Sequence, residues 1–217
     1  MRVIDLGRLT FAEALAIQEA AVEEVREGGE ERLYVLEHHP VITFGRHGGE
    51  AFLLASAPEL ARRGVEVAKA TRGGSVTCHF PGQAVLYPIL RLSGRPGGLR
   101  AHFEDLEQAA MDVLAAMGVP SGRSEGRPGV WCGPRKIASV GVGVRRWVSY
   151  HGIAFNVEPD VSLFSLTTPC GLAGVEMTSA WAELARLGLD TAPAEVQGVK
   201  HALAHAFARA VLARREA

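Results

Sequence analysis

Three cysteines are the candidate nucleophiles of this chain, and their sequence contexts differ. Cys170 lies in Thr167-Thr168-Pro169-Cys170-Gly171, a segment of loop character that precedes an expected helix. Loops often carry catalytic residues, and a nearby helix N-terminus lowers the pKa of a thiol. Cys132 lies in an apolar run, whereas Cys78 is next to His79 on an expected strand, where neighbouring side chains face opposite sides. Cys170 is therefore the candidate catalytic residue, and a buried structural thiol is the alternative interpretation.

Lys136 is a second catalytic candidate, because this chain uses lysine rarely. Lys69, Lys136 and Lys200 are the only lysines among 23 basic residues. Lys136 follows Arg135 and precedes the apolar Ile137-Ala138. A desolvated lysine can become neutral and accept a proton, whereas arginine stays charged. Cysteine and lysine could thus form a nucleophile–base pair for acyl transfer, although an ordinary lysine at a strand end also fits the pattern.

The segment from Arg72 to Gln83 contains residues that suit substrate binding. Gly73-Gly74 allows a sharp turn or a close approach of the backbone to a ligand, and Arg72 offers a planar cationic group. A β-bulge and a tight turn with a structural His79 are the alternative interpretation. The candidate binding residues of this segment are Arg72, Gly73, Gly74, Ser75, Val76, Thr77, Cys78 and His79.

Other motif-like patterns lack the context that their chemistry needs. Gly122–Gly126 matches G-x-S-x-G, but it lies in a polar segment rather than between a strand and a helix. Gly141-Val142-Gly143 lacks the third glycine of a dinucleotide motif, and the sequence has neither a P-loop pattern nor paired metal-ligand spacing. We therefore predict no metal and no cofactor.

The pattern of apolar residues predicts a framework of interspersed strands and helices. Leu99–Met117 is the longest helical pattern, and Pro120–Pro128 follows it as a polar loop. Lys136–Val144 and Tyr150–Val157 look like the strands of a hairpin. We expect an α+β fold with a mixed, mostly antiparallel sheet and packed helices, in one domain over residues 1–217.

Composition narrows the classes of function. A hydrophobic fraction of 47% excludes wholesale disorder, and a net charge of −1 gives no overall positive field for nucleic acid or an anionic membrane. The three cysteines show no CxxC pattern, which fits a reducing compartment. Neither a signal peptide nor an apolar run of about 18–20 residues is present, so we expect a cytoplasmic protein.

Five segments between about residue 33 and residue 175 resemble the lipoyl(octanoyl) transferases in order and spacing. They are Leu36-Glu37-His38-His39-Pro40 with Gly45-Arg46; Arg72-Gly73-Gly74 with Thr77, His79 and Pro81-Gly82-Gln83; Lys136-Ile137-Ala138-Ser139-Val140-Gly141; Tyr150-His151-Gly152-Ile153-Ala154 with Asn156-Val157; and Pro169-Cys170-Gly171. The sequence departs from the family pattern at Cys78, where an aromatic residue is usual, and at Phe80, where glycine is usual. We expect Cys78 to remove an aromatic wall from the acyl tunnel and Phe80 to alter the turn.

The resemblance implies the catalytic-domain fold of the biotin and lipoate protein ligases, and it assigns roles by position. Cys170 matches the nucleophile, and Lys136 matches the lysine that lowers the pKa of the thiol and takes up a proton. An octanoyl group would form a thioester on Cys170 and pass to the acceptor lysine of a lipoyl domain. Backbone amides near Cys170 and in Arg72–His79 would stabilise the oxyanion. Residues suited to an acyl tunnel are Ser139, Val140, Gly141, Gly152, Ile153 and Ala154.

The implied partners are octanoyl-acyl carrier protein as donor, and as acceptors the lipoyl domains of 2-oxoacid dehydrogenase acyltransferase subunits and the glycine cleavage H protein. No ATP is needed, because a thioester is already activated. Since such carriers are acidic, Arg145-Arg146 or Arg62-Arg63 could form a docking patch, although solvated surface arginines also fit. Two alternative functions are an ATP-dependent lipoate or biotin ligase on the same fold, and a non-catalytic module that binds lipoyl domains.

Overall fold

The computed structural model describes residues 1–168 and 175–216. Its strands are β1 (Arg2–Leu9), β2 (Arg32–His38), β3 (Val41–Phe44), β4 (Glu66–Lys69), β5 (Val76–His79), β6 (Gln83–Ile89), β7 (Gly122–Ser124), β8 (Arg127–Cys132), β9 (Arg135–Arg145) and β10 (Val148–Asn156). Its α-helices are α1 (Phe11–Arg26), α2 (Ala57–Arg62), α3 (Gly98–Ala116), α4 (Ala180–Arg186) and α5 (Val196–Glu216). Two short 3-10 helices span Glu50–Phe52 and Ser162–Leu166.

Within the described residues, the strands form a sheet of seven in the order β1-β2-β6-β10-β9-β8-β7 and a sheet of three in the order β4-β3-β5. β1 pairs with β2 in parallel and β3 with β4 in parallel, whereas the other pairs are antiparallel. The predicted mixed, mostly antiparallel sheet with packed helices is therefore confirmed. The predicted hairpin is also present as β9 and β10, joined by Arg146 and Trp147, whose φ angles are 49° and 65°.

Helices cover both faces of the large sheet. Along β10 the side chains alternate, so that Ile153 and Phe155 pack into one core cluster and Ala154 into another. The first cluster includes residues of α3 and α5, and the second includes residues of α1. The middle of the sheet is thus buried on both faces. None of the helices in residues 1–168 and 175–216 is long and apolar enough to cross a membrane.

Helix α1 begins at a capping box, and this fixes the position of its first residue. The Thr10 hydroxyl accepts a hydrogen bond from the Glu13 backbone N–H, and the Glu13 carboxylate accepts one from the Thr10 backbone N–H. Phe11 follows the cap and is 3% exposed. The capping box at Thr10 therefore places an aromatic ring at a defined point inside the protein.

The polar loop predicted at Pro120–Pro128 is wrong. This region contains β7 and the start of β8, which pair as a hairpin at the edge of the large sheet. Gly126, with φ of +70°, supplies the left-handed conformation that the turn needs. Because an edge hairpin is solvated, its polar residues look like a loop in the sequence.

Candidate functional site

A cavity of about 250 Å³ lies between the two sheets, next to the start of α1. Exposed residues of the β7–β8 hairpin, Gly126, Arg127 and Pro128, line one part of it, and we call this part the mouth. The sequence-predicted residues that line the cavity are Arg72, Gly74, Ser75, Val76, Thr77, His79, Lys136, Ser139, Val140, Gly141, Gly152, Ile153 and Ala154. Most of the predicted residues are thus brought together.

Of the other three predicted residues, one is not described and two do not line the cavity. Cys170 lies outside the described residues. Gly73 donates its backbone N–H to the Val142 carbonyl at 3.0 Å and so joins the segment before β5 to β9. Cys78 packs in the core of the small sheet, where its Sγ lies 3.6 Å from the Leu163 carbonyl. Since side chains alternate along a strand, Cys78 faces away from the cavity that Thr77 and His79 line.

Phe80 is accommodated without the backbone freedom of glycine. Its φ is not positive, and its ring packs edge-on against Phe164 with ring centroids 5.8 Å apart. Phe80 and Cys78 therefore extend the same core cluster beneath β5. Neither Cys78 nor Phe80 lines the cavity.

Glycines in β9 and β10 allow neighbouring parts of the chain to pack closely against these strands. A Cβ atom on Gly152 would lie 2.2 Å from the Leu86 carbonyl oxygen, and one on Gly141 would lie 2.9 Å from Cδ of Arg72. Arg72 is buried, and its Nη2 donates to the carbonyl and hydroxyl oxygens of Thr43 at 2.8 and 2.9 Å. Arg72 thus ties strand β3 to the cavity wall, in addition to lining the cavity itself.

Lys136 is 4% exposed, and two backbone hydrogen bonds hold its main chain in place. Its N–H donates to the Glu176 carbonyl at 2.8 Å, and its carbonyl accepts from the Thr178 N–H at 2.9 Å. Glu176 comes two residues after the segment 169–174, so the chain that follows Cys170 returns to Lys136. Thr168, just before the segment, donates its N–H to the Phe52 carbonyl at 2.9 Å.

His79 is held in one neutral tautomer by a chain of buried hydrogen bonds. Its Nδ1 lies 2.8 Å from Gln83 Oε1, which can only accept, so Nδ1 carries the proton and Nε2 is an acceptor. Gln83 Nε2 donates to Asn156 Oδ1 at 2.9 Å, and Asn156 Nδ2 donates to the Thr178 carbonyl at 2.9 Å. Burial, and then the neighbouring His38, hold the pKa of His79 well below its usual value of 6.5. These hydrogen bonds link His79 to Thr178, whose backbone N–H donates to the Lys136 carbonyl.

Sequence reasoning missed an aromatic cluster beside the cavity. Phe11 stacks near His79 and His151, with ring centroids 6.4 and 6.1 Å away. His38 Nδ1 donates to the Leu9 carbonyl at 3.2 Å, so its Nε2 accepts from the Tyr87 hydroxyl at 2.8 Å. The cap at Thr10 and the matched histidine motifs carried a signal for this cluster, but only the sheet register brings its members together.

Burial keeps the histidines of this cluster neutral. It lowers the pKa of His38 to about 4 and that of His151 to about 3. His151 Nε2, Ser75 Oγ and Thr77 Oγ1 are buried and have no hydrogen-bond partner among the described residues. Since buried polar atoms are normally satisfied, these three can bond to a ligand or to water in the cavity. Within the described part of the chain, no group of His, Cys, Asp and Glu is arranged to hold a metal ion.

Neither of the two arginine pairs that could form a docking patch lines the cavity. Arg145 is nine residues after Lys136 on β9, about 30 Å along an extended strand. Arg62 ends α2, and Arg63 pairs with Glu59 of the same helix at 3.1 Å. Arg127 is the arginine that lies at the cavity mouth.

Comparison with known proteins decides the family. The model of the lipoyl protein ligase A/B catalytic domain matches residues 10–208. The chain belongs to this family. An octanoyltransferase from Nitratidesulfovibrio vulgaris (strain DP4) is 52% identical over 207 residues, which cover 95% of this chain and 93% of the relative. This similarity confirms the resemblance found in the sequence and the prediction of an acyltransferase.

Solved structures share the fold at low identity. A lipoate-protein ligase A bound with ATP has a TM-score of 0.77 at 15% identity, covering 97% of this chain and 85% of that one. A biotin protein ligase from Aquifex aeolicus has a TM-score of 0.56 at 10% identity, covering 100% of this chain and 71% of that one. The predicted ligase-like fold is therefore confirmed.

Proposed function

We propose that this member of the lipoyl protein ligase A/B catalytic-domain family moves an octanoyl group from octanoyl-acyl carrier protein to the acceptor lysine of a lipoyl domain. The octanoyltransferase relatives support octanoyl as the group that is transferred. The observation that carries the proposal is a cavity with Lys136 in its wall. Phe11 and Ala154 offer apolar surface to an alkyl chain, and each buried methylene contributes about 0.8 kcal/mol.

In the first step the Cys170 thiolate attacks the carbonyl carbon of the donor thioester. A bond from Cys170 sulfur to carbon forms, the bond to the carrier sulfur breaks, and the carrier leaves as a thiol after taking up a proton. Lys136 is the group that exchanges this proton with Cys170. Support comes from the backbone bonds that join Lys136 to Glu176 and Thr178, shortly after Cys170 in the chain.

In the second step the acceptor amine attacks the octanoyl thioester. An amide bond forms, the bond to Cys170 breaks, and the amine's proton passes to Lys136 and then to the departing thiolate. The fixed acceptor Nε2 of His79 can bind an N–H of the incoming amine. Hydroxyls of Ser75 and Thr77 can bind the carbonyl oxygen, in addition to backbone amides.

The other cysteines fit packing roles. Burial, followed by the charge of Glu183, raises the pKa of Cys132 to about 12, so this thiol stays protonated at neutral pH. Cys78 lies in the core of the small sheet. Cys170 is thus the remaining cysteine for a thiolate mechanism.

We further propose that residues 1–217 form one catalytic domain and act in the cytoplasm. The family match to residues 10–208 and the pairing of β1 with the central sheet support the first point. A thiol nucleophile persists in a reducing compartment, which supports the second. The proposed acceptors are the lipoyl domains of 2-oxoacid dehydrogenase acyltransferase subunits and the glycine cleavage H protein.

Transfer of octanoyl to a lipoyl domain in the absence of ATP tests this function. We expect turnover with wild-type protein and with Cys132→Ala, and none with Cys170→Ala. Strict dependence on ATP would instead support a ligase. Binding of a lipoyl domain without any turnover would support a non-catalytic module.

A further inference from the structure

Trp131 lies next to Lys136 and is not among the residues that line the cavity. The two residues are directly paired between β8 and β9, beside a register shift at Val130 and Trp131. The indole is 3% exposed, and Nζ of Lys136 lies 5.4 Å from its ring centroid. This distance is within the range in which an ammonium group is attracted to an aromatic face.

Gly129 provides the space for the lysine stem. Its φ is +122°, and a Cβ atom there would lie 2.7 Å from Cε of Lys136 and 2.3 Å from the Ala138 carbonyl oxygen. The Gly129 N–H donates to Glu107 Oε1 at 2.9 Å, which holds this part of β8 in place. The Lys136 side chain therefore passes over a glycine and extends towards the indole.

The orientation of the indole is set from the cavity mouth. Trp131 Nε1 donates to the Arg127 carbonyl at 3.3 Å, and the Arg127 guanidinium carbon lies 4.3 Å from the ring centroid. One aromatic ring thus contacts a cationic group at the mouth and the amine in the wall. Its own N–H is occupied, so it offers Lys136 the ring surface rather than a hydrogen bond.

We propose that Trp131 is a positioning residue that holds the Lys136 amine at the cavity wall. This inference rests on the proposed function, because it concerns the lysine of the acyl-transfer step. A lysine side chain has a flexible stem, and a fixed aromatic surface restricts the positions of its amine. Trp131 does not touch the acyl group, so its loss slows the reaction without weakening substrate binding.

Single-turnover acylation by octanoyl-acyl carrier protein tests the proposal. The amplitude reports the fraction of competent protein, and the rate constant reports the chemistry. We expect Trp131→Leu to lower the rate constant about tenfold, with half-saturation by the donor changed by less than about twofold. Trp131→Phe, which keeps an aromatic face, restores the rate constant to within about threefold of wild type. Trp131→Met replaces the leucine variant if that variant does not fold.

Trp147→Leu is the matched control. Trp147 is 63% exposed at the tip of the β9–β10 hairpin, and we expect a wild-type rate constant. A wild-type rate constant for Trp131→Leu, or equal losses for the leucine and phenylalanine variants, would overturn the positioning role alone. Failure of the wild-type protein to accept octanoyl would overturn the proposed function as well, so the two failures are distinguishable.

Discussion

Lys136 and Lys200 are both buried lysines in a chain whose other basic residues, apart from Lys69, are arginines, yet their surroundings differ. Lys200, on α5, donates to Asp5 of β1 at 3.1 Å and so joins a helix to an edge strand. Lys136 lines a cavity and lies beside an indole. Rarity of lysine therefore does not by itself indicate catalysis. The cavity and the backbone hydrogen bonds to Glu176 and Thr178 distinguish Lys136.

The largest effect expected from this comparison is on catalysis. Lys136→Arg keeps a positive charge but replaces the amine proposed for proton transfer by a guanidinium, which does not give up its proton in proteins, so we expect turnover to fall at least about 100-fold. The matched variant Lys200→Arg retains an ion pair with Asp5 and should keep wild-type turnover. Steady-state assays and thermal melting of both variants measure this. Near-normal turnover of Lys136→Arg would remove Lys136 from proton transfer.

Loss of a hydrogen bond beside Lys136 should lower turnover more than loss of a hydrogen bond beside Lys200. Gln83→Leu removes the acceptor that fixes the His79 tautomer, and we expect about a tenfold loss of turnover and about 1–3 kcal/mol of unfolding free energy. Gln197→Leu removes the exposed bond from Gln197 to Asp5, at 2.8 Å, and should leave turnover unchanged. Equal turnover of the two variants would show that the His79 tautomer has no part in the reaction.

The aromatic cluster beside the cavity and the contact between Asp5 and Lys200 should also lose stability in different pH ranges. Burial lowers the pKa of His38 to about 4, whereas histidine in an unfolded chain has a pKa near 6.5. Between these values the unfolded chain binds protons that the folded protein excludes, so the unfolding free energy falls as pH falls. One such histidine contributes up to about 1.4 kcal/mol per pH unit.

Urea unfolding at pH 7 and pH 5 measures this dependence. His38→Gln should reduce the difference in unfolding free energy between the two pH values, because one buried titrating group is lost. His39→Gln, at the exposed neighbouring position, should leave it unchanged. An identical difference in wild type and His38→Gln would show that His38 does not titrate in this range.

The smallest effect is expected at Asp5. Burial alone would raise the pKa of Asp5. Hydrogen bonds from Gly7, Gln197 and Lys200 nevertheless hold this pKa below its usual value. The contribution of Asp5 to stability is therefore present at neutral pH and is lost as pH falls below about 4. Asp5→Asn should lower the unfolding free energy by about 1 kcal/mol at pH 7, with wild-type turnover. A large loss of turnover would contradict the separation of the two regions.

Much of the framework could be predicted from local patterns. The capping box at Thr10 and the apolar periodicity of the β9–β10 hairpin are local signals, and the structure contains both. The β7–β8 hairpin gives no such signal, because its residues are polar and its turn depends on the conformation of Gly126. A solvated edge strand has no apolar face that would reveal it in the sequence.

The site was harder to predict where it depends on register. The alternation of side chains along β5 separates Cys78 from His79, and the same rule excludes Cys78 from the cavity. The stacking of His79 and His151 around Phe11 joins residues that are far apart in the chain. No local pattern predicts such contacts, because they follow from the pairing of strands and the docking of α1.

Locating the octanoyl group on the enzyme tests the Cys170 mechanism most directly. The protein is incubated with octanoyl-acyl carrier protein, quenched in acid before any acceptor is added, digested and mapped by mass spectrometry. We expect one octanoyl group, on the peptide that contains Cys170, and its loss in Cys170→Ala but not in Cys132→Ala. Octanoyl on a different residue, or rapid transfer to a lipoyl domain by an enzyme that never carries octanoyl, would contradict it.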